Sequence, residues 1–282
     1  MELNFEKHCW AEIDLDALRR NYERICQNAK DVPVCAVVKA DAYGHGDVAV
    51  AKALSRCGAQ WFAVSCLSEA MRLRTAGIRG EILILGYTDP SQARRLAKHN
   101  ITQTVFSLEY AQALADQTRK KGKPAREVKC HLKVDTGMGR IGFAARDDLE
   151  RAVEEMYLCF EIKGLKVTGL FQHFAVADSE EAEDTAYTSR QQELFLQVLQ
   201  RLEDKGRHIK TAHCCFKTGV AAYDKEPTFK SNLLIYKGKY YLIGEEHKEF
   251  ISDKMMDSDY YILTLAAIAR ELNIRSLTSA CI

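Results

Sequence analysis

The chain has 282 residues, with 40 Lys and Arg against 39 Asp and Glu, a formal net charge of +1. That balance offers no electrostatic footprint for nucleic acid or an anionic membrane surface, so neither is expected as a partner. With 47% hydrophobic and 28% charged residues, wholesale disorder is excluded. Apolar runs such as Ile82–Leu85 fall far short of the roughly 18–20 residues that cross a bilayer. The opening MELNFEKHCW carries Glu2 and Glu6 and no apolar signal core, which points to a cytoplasmic protein. The length admits about two domains or one large α/β barrel.

In chain order, Asp14 stands as an N-cap before the helical pattern LDALRRNYERICQN. Six short β-rich runs follow: Pro33–Ala40, Trp61–Cys66, Glu81–Tyr87, Gln103–Ser107, Val128–Thr136 and Leu165–Phe174. They are nearly continuous in Val, Ile and Leu, as expected of strands buried on both faces. Helical patterns lie between them at Asp47–Ser55, Ser68–Ala76, Asp89–His99, Leu108–Lys121 and Asp147–Leu158. Ser68 and Asp89 read as N-caps, Pro90 as a first helical residue and Gly77 as a C′ stop. Strands 20–30 residues apart with helical crossovers predict parallel βαβ units. No G-x-G-x-x-G follows the first strand, so an incomplete (β/α)8 barrel of the TIM type is preferred to a doubly wound sheet.

After about residue 206 the βα period stops. NLLIYKGKYYLIGEEHKEF alternates like a hairpin turning at Lys237–Gly238, and Ser258–Leu272 reads as an apolar helix. The composition shift divides the chain into residues 1–208 and an α+β tail, residues 209–282. Ten cysteines contain no C-x-x-C pair and mostly sit in apolar contexts, so free buried thiols are expected and no metal site.

The stretch carrying most chemistry is VCAVVKADAYGHG, residues 34–46. Lys39 ends an apolar run, where a low-dielectric wall would lower its pKa and make the amine a nucleophile for a carbonyl. From composition alone, a surface lysine snorkelling after an edge strand is the preferred reading of this position. Together with AEIDLDALRRNY (11–22), HLKVDTGMGRIGF (131–143) and FQHFAVADS (171–179), this stretch resembles the N-terminal barrel of the alanine racemase family, alanine/serine racemases of vancomycin-resistance type in particular. The resemblance covers residues 9–205. It implies pyridoxal 5′-phosphate as cofactor, alanine or serine as substrate, a homodimer, and a role in supplying D-amino acids for peptidoglycan.

By the same resemblance, Lys39 corresponds to the lysine that forms the cofactor Schiff base and serves as one of two racemisation bases. Tyr43 corresponds to a tyrosine on the cofactor phosphate. Arg140 corresponds to an arginine near the phenolic oxygen and the substrate carboxylate, and Lys133 to an often carbamylated lysine that positions it. His173 corresponds to a histidine lying against the pyridine ring, although a histidine there also suits a plain core position. The family's H-x-[AS]-N-S-A and R-x-G-[IL] segments have no match: His213 is followed by Cys214, Cys215 and Phe216. The C-terminal domain that holds the second base has no counterpart either, and residues 209–275 instead resemble a fragment of a plasmid-segregation actin-like ATPase. An impaired racemase is therefore expected, with a non-catalytic cofactor-binding module or a non-functional chimera as alternatives.

Overall fold

A computed structural model describes residues 12–29, 32–118, 126–177, 179, 181–216, 232–236, 239–243 and 260–265. Helix α1 (Leu15–Ala29) starts where expected, because Asp14 Oδ1 accepts the backbone N–H groups of Asp16 and Ala17. Strand β1 (Val34–Val37) leads into α2 (Lys39–Tyr43), a single helical turn, and then α3 (Asp47–Arg56). The βα alternation continues with β2 (Trp61–Val64), α4 (Leu67–Thr75) and β3 (Glu81–Ile84). A 3₁₀ turn, Pro90–Gln92, capped by Asp89 on the Ser91 N–H, opens α5 (Ala93–Lys98). Then come β4 (Ile101–Val105), α6 (Leu108–Thr118), β5 (Val128–Lys133), α7 (Leu149–Cys159), β6 (Leu165–His173) and α8 (Ala182–Asp204). The last described elements are β7 (Thr211–Phe216), the pair β8 (Asn232–Tyr236) and β9 (Lys239–Ile243), and β10 (Tyr260–Leu265).

Strands β1 to β7 form the incomplete barrel that the spacing predicted. The ring does not stay open: its order is β1-β10-β7-β6-β5-β4-β3-β2, closed, with every neighbouring pair parallel. The expected helix over Ser258–Leu272 is corrected here, since residues 260–265 are a strand. YYILTL is rich in aromatic and β-branched residues, and a seven-strand ring leaves the polar backbone edges of β1 and β7 unpaired. Pairing Leu263 with Val34 on one side and with Cys214 on the other satisfies both edges. Strands β8 and β9 form the expected antiparallel pair, Tyr236 opposite Lys239; the turn at Lys237–Gly238 lies outside the described residues.

Other boundaries shift by small amounts. Helix α4 begins at Leu67 with Cys66 as its N-cap, so Ser68 sits inside the first turn and does not cap it. Gly77 adopts φ 89°, the left-handed stop expected after that helix.

The sheet is buried on both faces, which explains its apolar strands. Between strands and helices, Leu54, Phe62, Leu73, Ile82, Ile84, Leu96 and Phe195 are wholly buried. Each contributes about 1.5–3 kcal/mol by leaving water. A second, smaller cluster of Cys35, Val37, Ala63 and Leu83, with Tyr43, Trp61 and Leu85 against it, lines the lumen on the β1–β3 side. The described cysteines are free thiols, and burial pushes Cys26, Cys57, Cys130 and Cys159 upward, Cys159 to about 12. Among the described residues no helix is long and apolar enough to cross a membrane. No group of three or more His, Cys, Asp or Glu gathers there as metal ligands do.

Candidate active site

Parallel strands in a closed ring all present their C-terminal ends at one mouth, and barrels carry their chemistry there. Lys39 follows β1 at that mouth, Lys133 is the last residue of β5, and His173 is the last residue of β6. Strands β1 and β5 stand opposite each other in the ring. The two lysines therefore approach the mouth from facing sides.

Lys39 is not the end of the strand, as its apolar context suggested, but the first residue of α2. The next four residues, Ala40, Asp41, Ala42 and Tyr43, all have φ between 51° and 56°. A left-handed conformation costs non-glycine residues about 1–2 kcal/mol each, so the turn persists only because its surroundings hold it. Ala42 N–H donates to Val38 O, Gly44 N–H to Ala40 O, and Gly46 N–H to Asp41 O. His45, buried, donates from Nδ1 to Ala42 O at 2.9 Å. Gly44 and Gly46, at φ 86° and 87°, let the chain leave the turn directly into α3. The turn is also gripped from α4: Glu69 Oε1 accepts the Ala40 N–H at 2.9 Å, while its Oε2 accepts the N–H and hydroxyl of Ser65. Burial raises the Glu69 carboxyl, yet these hydrogen bonds outweigh it and the net shift is downward, so Glu69 is charged.

This geometry returns Tyr43 towards the lysine. Lys39 Nζ lies 5.9 Å from the centre of the Tyr43 ring, and both side chains are half-buried. Across the mouth, Lys133 is buried with Nζ 5.8 Å from the Phe171 ring. His173 is half-buried, and its carbonyl accepts from Gln191 of α8. Gln172 faces the other way and is wholly buried, bonded to Thr136 and to Cys214 Sγ. Arg140 lies in the loop from Asp135 to Gly142 between β5 and α7. Asp135 Oδ1 accepts the N–H groups of Gly137 and Gly139, and Tyr187 of α8 donates to Gly137 O. Arg140 itself is exposed, with no ion pair among the described residues. Lys39, Tyr43, Lys133 and His173 thus gather at the mouth, and Arg140 stands on its rim loop.

Below the mouth lies a pair that the sequence did not single out. His131 Nδ1 and His213 Nε2 are 2.9 Å apart, both residues buried. They come from β5 and β7, which are not neighbours, so the contact crosses the lumen over β6. Gly169 of β6 makes room, since a Cβ there would sit 2.6 Å from His131 Nε2. Phe171 stacks on His213 at 4.8 Å, and Trp61 from β2 reaches His131 at 5.7 Å. Lower still, Lys129 pairs with Glu81 at 3.1 Å. The alternation in β5, polar Lys129, His131 and Lys133 in an otherwise apolar strand, is the signal that could have found this lumen column.

The residues at the mouth suit a planar, aldehyde-bearing, anionic cofactor. An amine stands at the mouth, a phenol packs beside it, and an apolar wall of Val37, Ala63, Leu83 and Leu85 lies behind.

Residues 13–229 match the family model of the alanine racemase N-terminal domain. The chain belongs to the alanine racemase family. It is 42% identical over 203 residues to alanine racemase 2 of Caldanaerobacter subterraneus, covering 72% of this chain and 50% of that protein. It is 41% identical over 215 residues to the alanine racemase of Desulforamulus reducens, covering 76% and 56%. Among solved structures, the alanine racemase from Bacillus anthracis with bound L-Ala-P superposes with a TM-score of 0.66 at 35% identity, covering 76% of this chain and 53% of that one. A histidine racemase from Leuconostoc mesenteroides gives 0.61 at 31% identity, with 71% and 51% covered. The chain spans about half the length of the curated relatives it matches. Alanine racemase homologues of this family depend on pyridoxal 5′-phosphate.

Proposed function

We propose that this chain is the cofactor-binding barrel of a pyridoxal-phosphate amino-acid racemase whose substrate is alanine or serine. The observation that carries the reading is the strained turn that sets Lys39 at the barrel mouth with Tyr43 beside it. When bound, the cofactor withdraws electrons from the amino-acid α-carbon and makes its proton acidic.

In this reading Lys39 would hold the cofactor through its amine, and the same amine, when free, would take or return the substrate α-proton on one face. Tyr43 would hold the cofactor phosphate through its hydroxyl, Arg140 would pair with the substrate carboxylate, Lys133 would orient Arg140, and His173 would pack against the cofactor ring. The division near residue 208, with a tail of separate origin, belongs to the same proposal and is supported by the composition shift after about residue 206 and by the resemblance of residues 209–275 to an actin-like ATPase fragment. So do a homodimeric assembly and a cytoplasmic setting, the latter supported by the free thiols.

Lys39 serves one face only. A positioned acid–base group is worth about 10²–10⁴-fold, so the isolated chain is expected to racemise alanine slower by about that factor than an enzyme with two bases. The test is to add pyridoxal 5′-phosphate, record the visible absorbance of lysine-bound cofactor, then reduce with borohydride and map the label. Label on Lys39, lost in Lys39→Ala, supports the reading. Equal labelling of Lys39→Ala overturns it, and a coupled D-alanine assay separates a slow racemase from a bare binder.

A further inference from the structure

Glu69 has no place in the roles above, yet its carboxylate makes an unusual set of contacts. It is the third residue of α4 and is buried, 9% exposed. A glutamate in the first turn commonly folds back onto the amide of its own N-cap, here Cys66. Glu69 instead reaches one residue further, accepting the N–H and hydroxyl of Ser65 on Oε2 at 2.7 and 2.8 Å. Its other oxygen accepts the N–H of Ala40, 29 residues away in sequence. Ala40 is the first residue at positive φ and directly follows Lys39.

We propose that Glu69 is a positioning residue for Lys39: its carboxylate ties the amide of Ala40 to the start of α4 and so fixes the left-handed turn that aims the lysine amine at the mouth. The inference rests on the reading of Lys39 as the cofactor lysine. The chemistry requires a carboxylate. All three partners are donors, and an amide would offer one oxygen and one N–H₂ group, which cannot accept. A second tie from the same helix holds the far end. Arg72, one turn on, donates from Nε and Nη2 to Asp47 Oδ2 at 2.7 and 2.6 Å. Asp47 opens α3 and donates its own N–H to Asp41 Oδ1. Helix α4 therefore grips the turn at Ala40 through Glu69 and at Asp41 through Arg72 and Asp47. With the Arg72 tie intact, losing Glu69 is expected to loosen the turn without unfolding the barrel.

The test uses the full chain and its Glu69→Gln variant. Amide hydrogen exchange over residues 38–46 is expected to quicken about ten- to a hundredfold, the loss associated with a buried hydrogen bond to a charged acceptor. Exchange in α6 and β4 should stay unchanged. Pyridoxal 5′-phosphate trapped on Lys39 by borohydride is expected to fall by a similar factor at fixed cofactor concentration. Unchanged exchange over 38–46 overturns the inference. Should Glu69→Gln also lower the global unfolding midpoint, Ser65→Ala is measured instead; it removes one of the three bonds and leaves the Ala40 tie. A smaller quickening at 38–46 with the global midpoint kept supports the inference, and none overturns it. Failure of the unaltered chain to load cofactor at Lys39 sinks the cofactor reading instead, while the exchange experiment still decides whether Glu69 holds the turn.

Discussion

Acidification from pH 7 to pH 5 should destabilise this barrel through the two lumen histidines. Burial pushes His131 from 6.5 down to about 3, with the positive charge of Lys129 adding to it. His213 is pushed well below 6.5 by burial and then by His131. The unfolded chain binds a proton on each imidazole below about pH 6.5, while the folded chain does not until far lower pH. Stability from this source is therefore complete above 6.5 and is lost steadily as pH falls from there towards 3. At about 1.36 kcal/mol per pH unit, His131 alone accounts for about 2 kcal/mol at pH 5, and His213 adds to the loss in the same direction. Other charges facing the lumen are Lys129, paired with Glu81, and Lys133; Phe171 and Trp61 are uncharged. The buried carboxylate of Glu69 is held low, so its contribution is lost only below its ordinary value of 4.5, outside this window. Urea midpoints at pH 7, 6 and 5 measure the effect, with the slope of each transition checked for constancy. The double variant His131→Gln, His213→Gln should flatten the dependence whatever its absolute stability. An equally steep dependence in the variant would refute the argument.

Gly169→Ala should destabilise by about 1–3 kcal/mol, because the new methyl meets a ring held by His213 and Trp61. Thermal unfolding should then fall by about 2–4 °C per kcal/mol, and an unshifted midpoint would show that the ring is free to move. Tyr110→Phe removes a hydroxyl that donates to Thr88 O at 2.6 Å and accepts from the Thr88 N–H at 3.2 Å, all buried. Leaving that amide and carbonyl unpaired should cost about 1–3 kcal/mol and speed exchange at Thr88, while Tyr110→Leu should cost more through the lost stack on Phe106.

How much of this was readable depends on whether the determining contacts are local. Asp14, Asp89 and Gly77 act within their own turns, so their roles follow from type and position. The strand ends that carry Lys133 and His173 follow from the βα period. The turn after Lys39 could not be read, because Ala and Tyr carry no local preference for positive φ, and Asp visits it as single residues, not as one of four in a row. It is imposed by Glu69, 29 residues on, and by His45. The His131–His213 pair joins residues 82 positions apart and depends on a glycine on a third strand. YYILTL is short and apolar, and periodicity cannot separate a buried strand from a buried helix at that length. A vacancy in the ring decided it.

That vacancy bears on the site itself. Strand β1 is short, four residues, and carries Lys39 just beyond its end. On one side it pairs with β2 through Cys35, Ala36 and Val37. On the other it pairs with β10 through Val34, Cys35 and Ala36. Without residues 260–265, β1 would be an edge strand with one row of backbone groups unpaired, and edge strands fray and recruit other chains. The left-handed turn is anchored to this strand by Val38, whose N–H bonds Ala63 O and whose carbonyl accepts from Ala42. A frayed β1 would release that anchor from within while Glu69 still held it from α4. The placement of Lys39 thus needs two supports distant from it in sequence: the Glu69 carboxylate on the fourth helix, and the strand at residues 260–265.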